Sequence, residues 1–365
     1  MAGKAEARAE AARLMQAFLD AGARAVEADI LQPAETLLDL YGEDIRARAY
    51  VTNDPLRGEM MLRPDFTVPV VQMHMAGGAE PARYCYAGEV FRKQERPSAR
   101  AVEYLQVGYE VFDRDDPVAA DAEVFSLFDR LLSPLGLRAI TGDIAILTAA
   151  VRGLDTIDSR KRALLRHVWR PRRFTRLLER FGGLQPQPES RQRLIANLRA
   201  GRMPEAAAPL IGLRSRVEIE ARLAALVEDA EAPPIPAQQV AQIEALLNLS
   251  GKAGAALDRL REMAAEMPAI RAATDRLAQR LDALAGRGIN VDALDFEASH
   301  GRSTMEYYDG FVFAFHAPNP DLPPVASGGR YDALTAVLGQ GRSIPAVGGV
   351  IRPGLVADLK GAQPC

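Results

Sequence analysis

Between Phe91 and Phe112 the chain reads FRKQERPSARAVEYLQVGYEVF. The second half has the alternation of a strand, and alternate side chains of a strand share a face. Leu105, Val107, Tyr109 and Val111 make one apolar face. The opposite face carries Gln106 and Glu110 across a gap at Gly108, with Phe112 beyond. An amide and a carboxylate turned inward need polar partners. If the segment 83–92, RYCYAGEVFR, is the antiparallel neighbour, Arg92 and Gly88 join that face. Arg92, Gln106 and Glu110 would then line one concavity suited to a small polar ligand. The same residues also allow an internal Arg92–Glu110 ion pair, which would leave no site.

Other residues invite two readings each. Asp65 precedes a helical pattern and follows Leu62-Arg63-Pro64. It could cap the helix, or its carboxylate could take an ammonium group with help from the Thr67 hydroxyl. Tyr307 and Tyr308 are adjacent aromatics, one expected inward and one outward, and a tyrosine hydroxyl can also serve a ring nitrogen. Ser327-Gly328-Gly329-Arg330-Tyr331-Asp332 could cradle a phosphate or be a simple turn. The run SRKRALLRHVWRPRRFTRLLER, 159–180, is densely basic. It reads as a solvated helix face, a docking surface for an acidic partner, or an RNA contact.

The elements that must position these groups follow from periodicity. Residues near 4 to 21 form an amphipathic helix with Met15, Phe18 and Leu19 on its buried side and Gly22 as its stop. EMMLRP (59–64) is a strand leading into the helix DFTVPVVQMHMAGG. A long hairpin follows, with 83–92 and EYLQVGYEVF as strands and roughly 93–103 as loop; DAEVFSLFDRLL (121–132) is helical. From about 155 to 286 the pattern has helical periods and almost no strand signal, with a linker-like EAPPIP. One helix there starts at Pro268 and stops at Gly286, with Ile270, Ala273, Leu277, Leu281 and Leu284 along one stripe. Strand patterns return at NVDALDFEA and YDGFVFAFHA, and ASGGRYDALTAVLG reads as a turn into a helix. Strands and helices at both ends with a helical block between predict an α+β core, 1–365, interrupted by a helical insertion at about 155–286.

Composition bounds the function. The chain has 365 residues, 48% hydrophobic and 25% charged, with a formal net charge of -3. That balance gives no global attraction to nucleic acid or membrane. Cys85 and Cys365 make no disulfide framework, so a reducing, cytoplasmic setting is expected. The four histidines are scattered, which predicts no metal site. The N-terminus lacks the apolar run of a signal peptide, and no stretch is long enough to span a bilayer.

Taken together, these segments resemble the catalytic core of class II aminoacyl-tRNA synthetases, and specifically histidyl-tRNA synthetase. LRPDFT is similar to that family's LRPE-G-T, Arg92 stands at the arginine of its second motif, and Pro33 at the proline of its dimer-forming first motif. MEYYDGFVF resembles the histidine-binding LDYY segment, and SGGRYDAL the family's GGRYDGL. The resemblance implies an antiparallel sheet flanked by helices and a pocket for free histidine. In that pocket Glu110 would take an imidazole N–H, and Tyr307 or Tyr308 would serve the other ring nitrogen. Asp65, Thr67 and Gln106 would hold the α-ammonium and Arg92 would lie near the carboxylate, with Arg100 and Tyr331 as further lining.

The departures point elsewhere than aminoacylation. The arginine that opens the family's RGLDYY is Ser303 here, with Arg302 one place earlier. Leu355 occupies the position of the third-motif arginine, and Gln94 that of a second-motif glutamate. Losing one transition-state donor costs about 3–4 kcal/mol, so two lost charges would disable adenylation. No anticodon-binding domain is expected after the third motif. A core of this kind resembles the ATP phosphoribosyltransferase regulatory subunit family. That likeness implies no catalysis, no cofactor and no tRNA, but histidine sensing, a homodimer within a hetero-oligomer, and a short-form catalytic subunit as partner in the first step of histidine biosynthesis. The alternative is a truncated but active histidyl-tRNA synthetase or another amino-acid-adenylating paralogue, distinguished by Ser303 and Leu355; a nucleic-acid binder using 159–180 is a third.

Overall fold

A computed structural model describes residues 3–35, 49–94, 101–203, 215–302 and 307–362. Arg100, Ser303 and Cys365 lie outside the described residues. The first helix, α1 (Lys4–Asp20), buries Ala11, Leu14 and Phe18, at helical spacing. Met15 is half-buried and Leu19, expected inside, is exposed, because one step past Phe18 turns a side chain about 100° around the axis. Strand β1 (Arg24–Ala25) follows, then β2 (Leu31–Pro33), β3 (Val51–Asp54) and β4 (Gly58–Leu62). These last three form a small antiparallel sheet ordered β2-β4-β3. The next elements are α2 (Thr67–Met75), the hairpin β5 (Ala82–Phe91) and β6 (Glu103–Phe112), and α3 (Pro117–Leu132). Helix α3 begins four residues before the expected start, since Asp116 caps it through the Ala119 N–H and Pro117 takes the first helical position.

Strand β7 (Arg138–Asp143) leads into the helical block. Its helices are α4 (Ile144–Arg152), α5 (Asp158–Arg166), α6 (Pro171–Phe181), α7 (Glu189–Arg199), α8 (Arg216–Glu231) and α9 (Ala237–Leu247). A short β8 (Ser250–Lys252) breaks the run before α10 (Ala253–Glu266) and α11 (Arg271–Gly286). Pro268–Ile270 forms a turn of 3-10 helix rather than the start of α11, and the predicted stripe from Ile270 to Leu284 is buried. The chain closes with β9 (Asp295–Glu297), β10 (Phe311–His316), β11 (Ala326–Arg330), α12 (Asp332–Leu338), β12 (Ala346–Ile351) and α13 (Pro353–Ala362).

Nine strands make one sheet in the order β1-β5-β6-β12-β11-β10-β7-β9-β8. The pairs from β5 to β7 are antiparallel, whereas β1–β5 and β7–β9 are parallel. The α+β expectation of an antiparallel sheet flanked by helices therefore holds, with parallel pairs near both edges. Residues 326–330, read from their glycines as a turn or phosphate loop, are instead a central strand paired on both sides. Glycine punctuates a chain only where neighbours do not fill its space. Here the Phe313 and Tyr308 rings lie against the two glycines, from opposite faces.

One face of the sheet packs on helices. Phe311, Phe313 and Phe315 meet Phe125 of α3 at centroid distances of 6.2, 5.5 and 5.4 Å. Phe18 lies 5.7 Å from Phe128 and 5.2 Å from Tyr109. Aromatic side chains each bury large apolar areas, so this layer anchors the helices to the sheet. A buried charge network ties the helical block to the same core. Arg280 of α11 donates to Asp121 of α3 at 3.0 Å and to Asp143, the N-cap of α4, at 2.8 and 2.9 Å. Arg330 of β11 also binds Asp121, at 2.7 and 3.0 Å.

Arg280→Met would leave Asp143 buried without its cation while Asp121 keeps Arg330. Stranding one member of a buried pair costs about 3–5 kcal/mol. Urea denaturation followed by circular dichroism is expected to show a loss of that size, and a loss below about 1 kcal/mol would contradict the role given to this network.

Candidate functional site

The face of β6 left free by α3 is the one carrying Gln106, Gly108 and Glu110. Register places Tyr84 opposite Glu110, Tyr86 opposite Gly108 and Gly88 opposite Gln106. The gap at Gly108 is filled from across the hairpin. A Cβ at position 108 would stand 2.1 Å from the Tyr86 ring, so only glycine lets that ring lie flat over the strand. Tyr86 stacks on Phe66 at 4.4 Å and aims its hydroxyl at Glu110. On the other flank Gly348 of β12 pairs with Glu110, and a Cβ there would fall 1.5 Å from Oε2. Two glycines thus make room for a tyrosine and a carboxylate inside the sheet.

Glu110 is 1% exposed. Its partners are three hydroxyls: Thr67 donates to Oε1 at 3.0 Å, Tyr86 to Oε1 at 2.8 Å and Tyr331 to Oε2 at 2.6 Å. The Arg92–Glu110 ion pair does not form; Arg92 Nε donates to the Pro64 carbonyl at 3.0 Å. Burial pushes the Glu110 carboxyl up to about 7, the three hydroxyls partly offset this, and the Asp65 charge adds to the rise. Burial likewise raises the Tyr86 and Tyr331 phenols, helped by the Glu110 charge.

Gln106 is wholly buried, and among the described residues neither its amide nitrogen nor its oxygen has a hydrogen-bond partner. A buried amide left so is costly and calls for an explanation. Asp65, also buried, is not the N-cap; that position is Phe66, and Asp65 accepts a long 3.5 Å bond from the Val68 N–H at the start of α2. Tyr307 and Tyr308 do not split between core and solvent. Both are buried, with ring centroids 4.9 Å apart, and Tyr307 lies 6.0 Å from Tyr331. The Tyr308 phenol is raised by burial, then by Glu110 and Asp65, and lowered by Arg92, so those three charges converge on it.

The structure therefore brings Asp65, Thr67, Arg92, Gln106, Glu110, Tyr307, Tyr308 and Tyr331 to one place, from five separate stretches of chain. Tyr86 and Arg63 were not read from the sequence. The signal for Tyr86 is its register opposite Gly108. Arg63 has no such signal: its guanidinium lies 3.9 Å over Phe66, donates to the Ala28 and Glu89 carbonyls, and fills the space above Gly88. Arg302 turns away from the site. It donates to the Val168 carbonyl at 2.8 Å and lies 4.9 Å over Phe174, so it does not replace Ser303 by a shift of register. Leu355 packs at the edge of the core, and Arg352 donates to the Pro324 carbonyl.

The raised carboxyl has a consequence for stability. In the folded state Glu110 keeps its proton up to about 7, against 4.5 ordinarily. The native state then binds the extra proton between those values, so stability falls as pH rises through that window. The contribution is roughly 3 kcal/mol at about 1.4 kcal/mol per pH unit. Denaturation of the protein and of Glu110→Gln across pH 4.5–7.5 is expected to show this fall in the former only; parallel profiles would exclude it.

Comparison with known proteins shows the family and the fold. The histidyl-tRNA synthetase family model matches residues 3–233 and 199–353. The ATP phosphoribosyltransferase regulatory subunit of Brucella anthropi is 32% identical over 345 residues, covering 89% of this chain and 90% of the relative. That of Brucella canis is 33% identical over 344 residues with the same coverage. Among solved structures, an ATP phosphoribosyltransferase regulatory subunit/histidyl-tRNA synthetase from Bacillus halodurans aligns with a TM-score of 0.67 at 18% identity, over 97% of this chain and 79% of that one. A histidine–tRNA ligase subunit from Alicyclobacillus acidocaldarius aligns with a TM-score of 0.61 at 24% identity, over 100% and 96%. With a histidyl-tRNA synthetase-like fold and relatives of this identity along nearly its whole length, the chain belongs to the ATP phosphoribosyltransferase regulatory subunit family.

Proposed function

We infer that this regulatory subunit senses free histidine in the Glu110 pocket and conveys its occupancy to a short-form catalytic subunit at the first step of histidine biosynthesis. The observation that carries the reading is Gln106: a fully buried amide with both polar atoms unsatisfied, on the same strand face as a carboxylate caged by hydroxyls. Glu110 would receive an imidazole N–H, and Tyr307 or Tyr308 would serve the second ring nitrogen. Asp65 and Gln106 would take the ammonium. Thr67 gives its proton to Glu110, yet its oxygen can still accept from that ammonium. Arg92 would face the ligand carboxylate.

Several features accompany the reading. The helical block at about 155–286 would be an insertion into the synthetase-like core. Ile30, Val51 and Leu56 are exposed apolar residues on or beside the small sheet that carries Pro33, and they suit a symmetric homodimer contact. A cytoplasmic setting fits the free, buried Cys85 thiol, and among the described residues no helix is long and apolar enough to cross a membrane. Leu355 supports a subunit that does not adenylate.

Three outcomes are expected. Glu110→Ala removes a charge-assisted hydrogen bond contributing about 1.5–3 kcal/mol, so histidine affinity measured by calorimetry should fall roughly ten- to hundredfold. Gln106→Leu should also lose at least about tenfold in affinity while leaving the empty protein no less stable, because it deletes an unsatisfied buried amide. Unchanged histidine binding in both variants would refute the pocket. Purified protein should show no histidine-dependent exchange of pyrophosphate into ATP, and clear exchange would restore the synthetase reading.

A further inference from the structure

The basic run at 159–180 contains nine lysines and arginines against one glutamate, in a chain with a net charge of -3. The fold divides these cations into two sets. Some are internal: Arg160 is buried, pairs with Asp229 at 2.6 Å and donates to the Ala232 and Pro233 carbonyls, while Arg180 is half-buried over Phe181. The others face outward. Arg162, Arg166, Arg172, Arg173 and Arg176, on α5 and α6, are exposed, and among the described residues none of their guanidinium groups has an ion-pair or hydrogen-bond partner. Arg166 and Arg173 come together at the turn between the two helices. After burial, the charges of Arg170, Arg173 and Arg166 all depress the His167 imidazole, which sits at the turn joining the two helices. Like charges gathered on one surface repel one another, and an acidic partner relieves that repulsion.

The turn between these two helices is bonded to the segment that carries Tyr308. Trp169, in the same turn, donates its indole N–H to the Tyr308 carbonyl at 3.1 Å. One residue earlier, the Val168 carbonyl accepts from Arg302. The helices that carry the arginines are therefore bonded to the backbone of the segment holding Tyr307 and Tyr308.

We propose that the exposed arginines of α5 and α6 form the docking face for an acidic surface of the catalytic subunit, placed to feel the pocket through the Trp169–Tyr308 bond. The proposal rests on the regulatory reading above. Two observations favour an acidic protein surface over nucleic acid. The aromatics of this region are not available for stacking: Phe174 and Phe181 are buried and the Trp169 indole is committed inward. The chain as a whole is acidic, so its long-range field does not gather a polyanion, whereas a local carboxylate patch meets guanidinium groups in bidentate geometry.

The test uses the full-length protein carrying Arg166→Glu, Arg173→Glu and Arg176→Glu, with a short-form catalytic subunit from the same cell as probe. Calorimetry is expected to show at least a tenfold loss of affinity for the catalytic subunit, with histidine affinity and thermal unfolding of the variant unchanged. Binding by the unaltered protein should weaken as salt rises from about 50 to about 500 mM. Undiminished affinity in the variant overturns the docking face and leaves the histidine pocket standing. A variant that keeps the catalytic subunit but loses binding to tRNA overturns it in favour of a nucleic-acid surface, and one that loses only self-association overturns it in favour of a contact between copies. Failure of the unaltered protein to bind the catalytic subunit overturns the docking face and the partnership together. Single Arg173→Gln and Arg176→Gln variants, which remove charge without reversing it, should each weaken binding by a smaller factor if the face is correct.

Discussion

A carboxylate enclosed within a sheet is tolerated only if hydrogen bonds replace water, and Glu110 imposes that condition on most of its surroundings. The replacement donors come from three distant stretches: Thr67 at the start of α2, Tyr86 in β5 and Tyr331 at the start of α12. The space comes from a fourth, Gly348 of β12. Each must arrive within hydrogen-bond reach of a group only a few ångströms across. Sheet register is therefore fixed here by chemistry as well as by burial, because a one-residue slip of β5 or β12 would turn Tyr86 or Gly348 to the opposite face. Burial, with the Asp65 charge, outweighs the three hydroxyls and pushes the Glu110 carboxyl up to about 7. A ligand N–H would supply the remaining donor.

The same residues join the site to the rest of the molecule. Tyr331 stands between Arg330, which binds Asp121, and Asp332, which accepts the Ala346 N–H and holds Arg330 at 3.0 Å. Asp121 also binds Arg280, whose second partner Asp143 begins the first helix of the block. On the other side Trp169 and Arg302 bond the turn between α5 and α6 to the segment around Tyr308 and to each other's neighbourhood. Two contiguous polar routes thus run from the pocket into the helical block, one buried in the core and one at its edge. Such routes carry coupling only if occupancy of the pocket favours one of two arrangements of the elements they join. The unsatisfied Gln106 amide is a group whose hydrogen bonding would differ between an empty and a filled pocket.

Much of the fold was legible in strongly periodic stretches. The alternation of EYLQVGYEVF, the aromatic triplet at Phe311, Phe313 and Phe315 and the apolar stripe of α11 each gave the right element. The failures have a common cause. ASGGR reads as a turn because glycine lacks both side chain and β propensity, and it becomes a central strand only because rings from its neighbours occupy the missing volume. Leu19, one step beyond Phe18, was placed inside by composition and outside by the turn of the helix. In the site, Gln106, Glu110, Thr67 and Tyr331 could be selected by residue type and by the family resemblance. Tyr86 and Arg63 could not, since their roles depend on which strand faces Gly108 and what lies above Gly88.

By itself, then, the sequence determined the alternation that puts an amide and a carboxylate on one strand face, the order of the motifs, the helical character of the middle third and the excess of arginine within it. These are local properties, set by side-chain spacing along one segment. The tertiary structure alone decided which hydroxyls cage Glu110, that Arg92 turns to the Pro64 carbonyl, and which arginines of the basic run are internal and which reach solvent. Each of those depends on groups far apart in the chain meeting within about 3 Å, a distance fixed by sheet register and helix packing and written in no single stretch of residues.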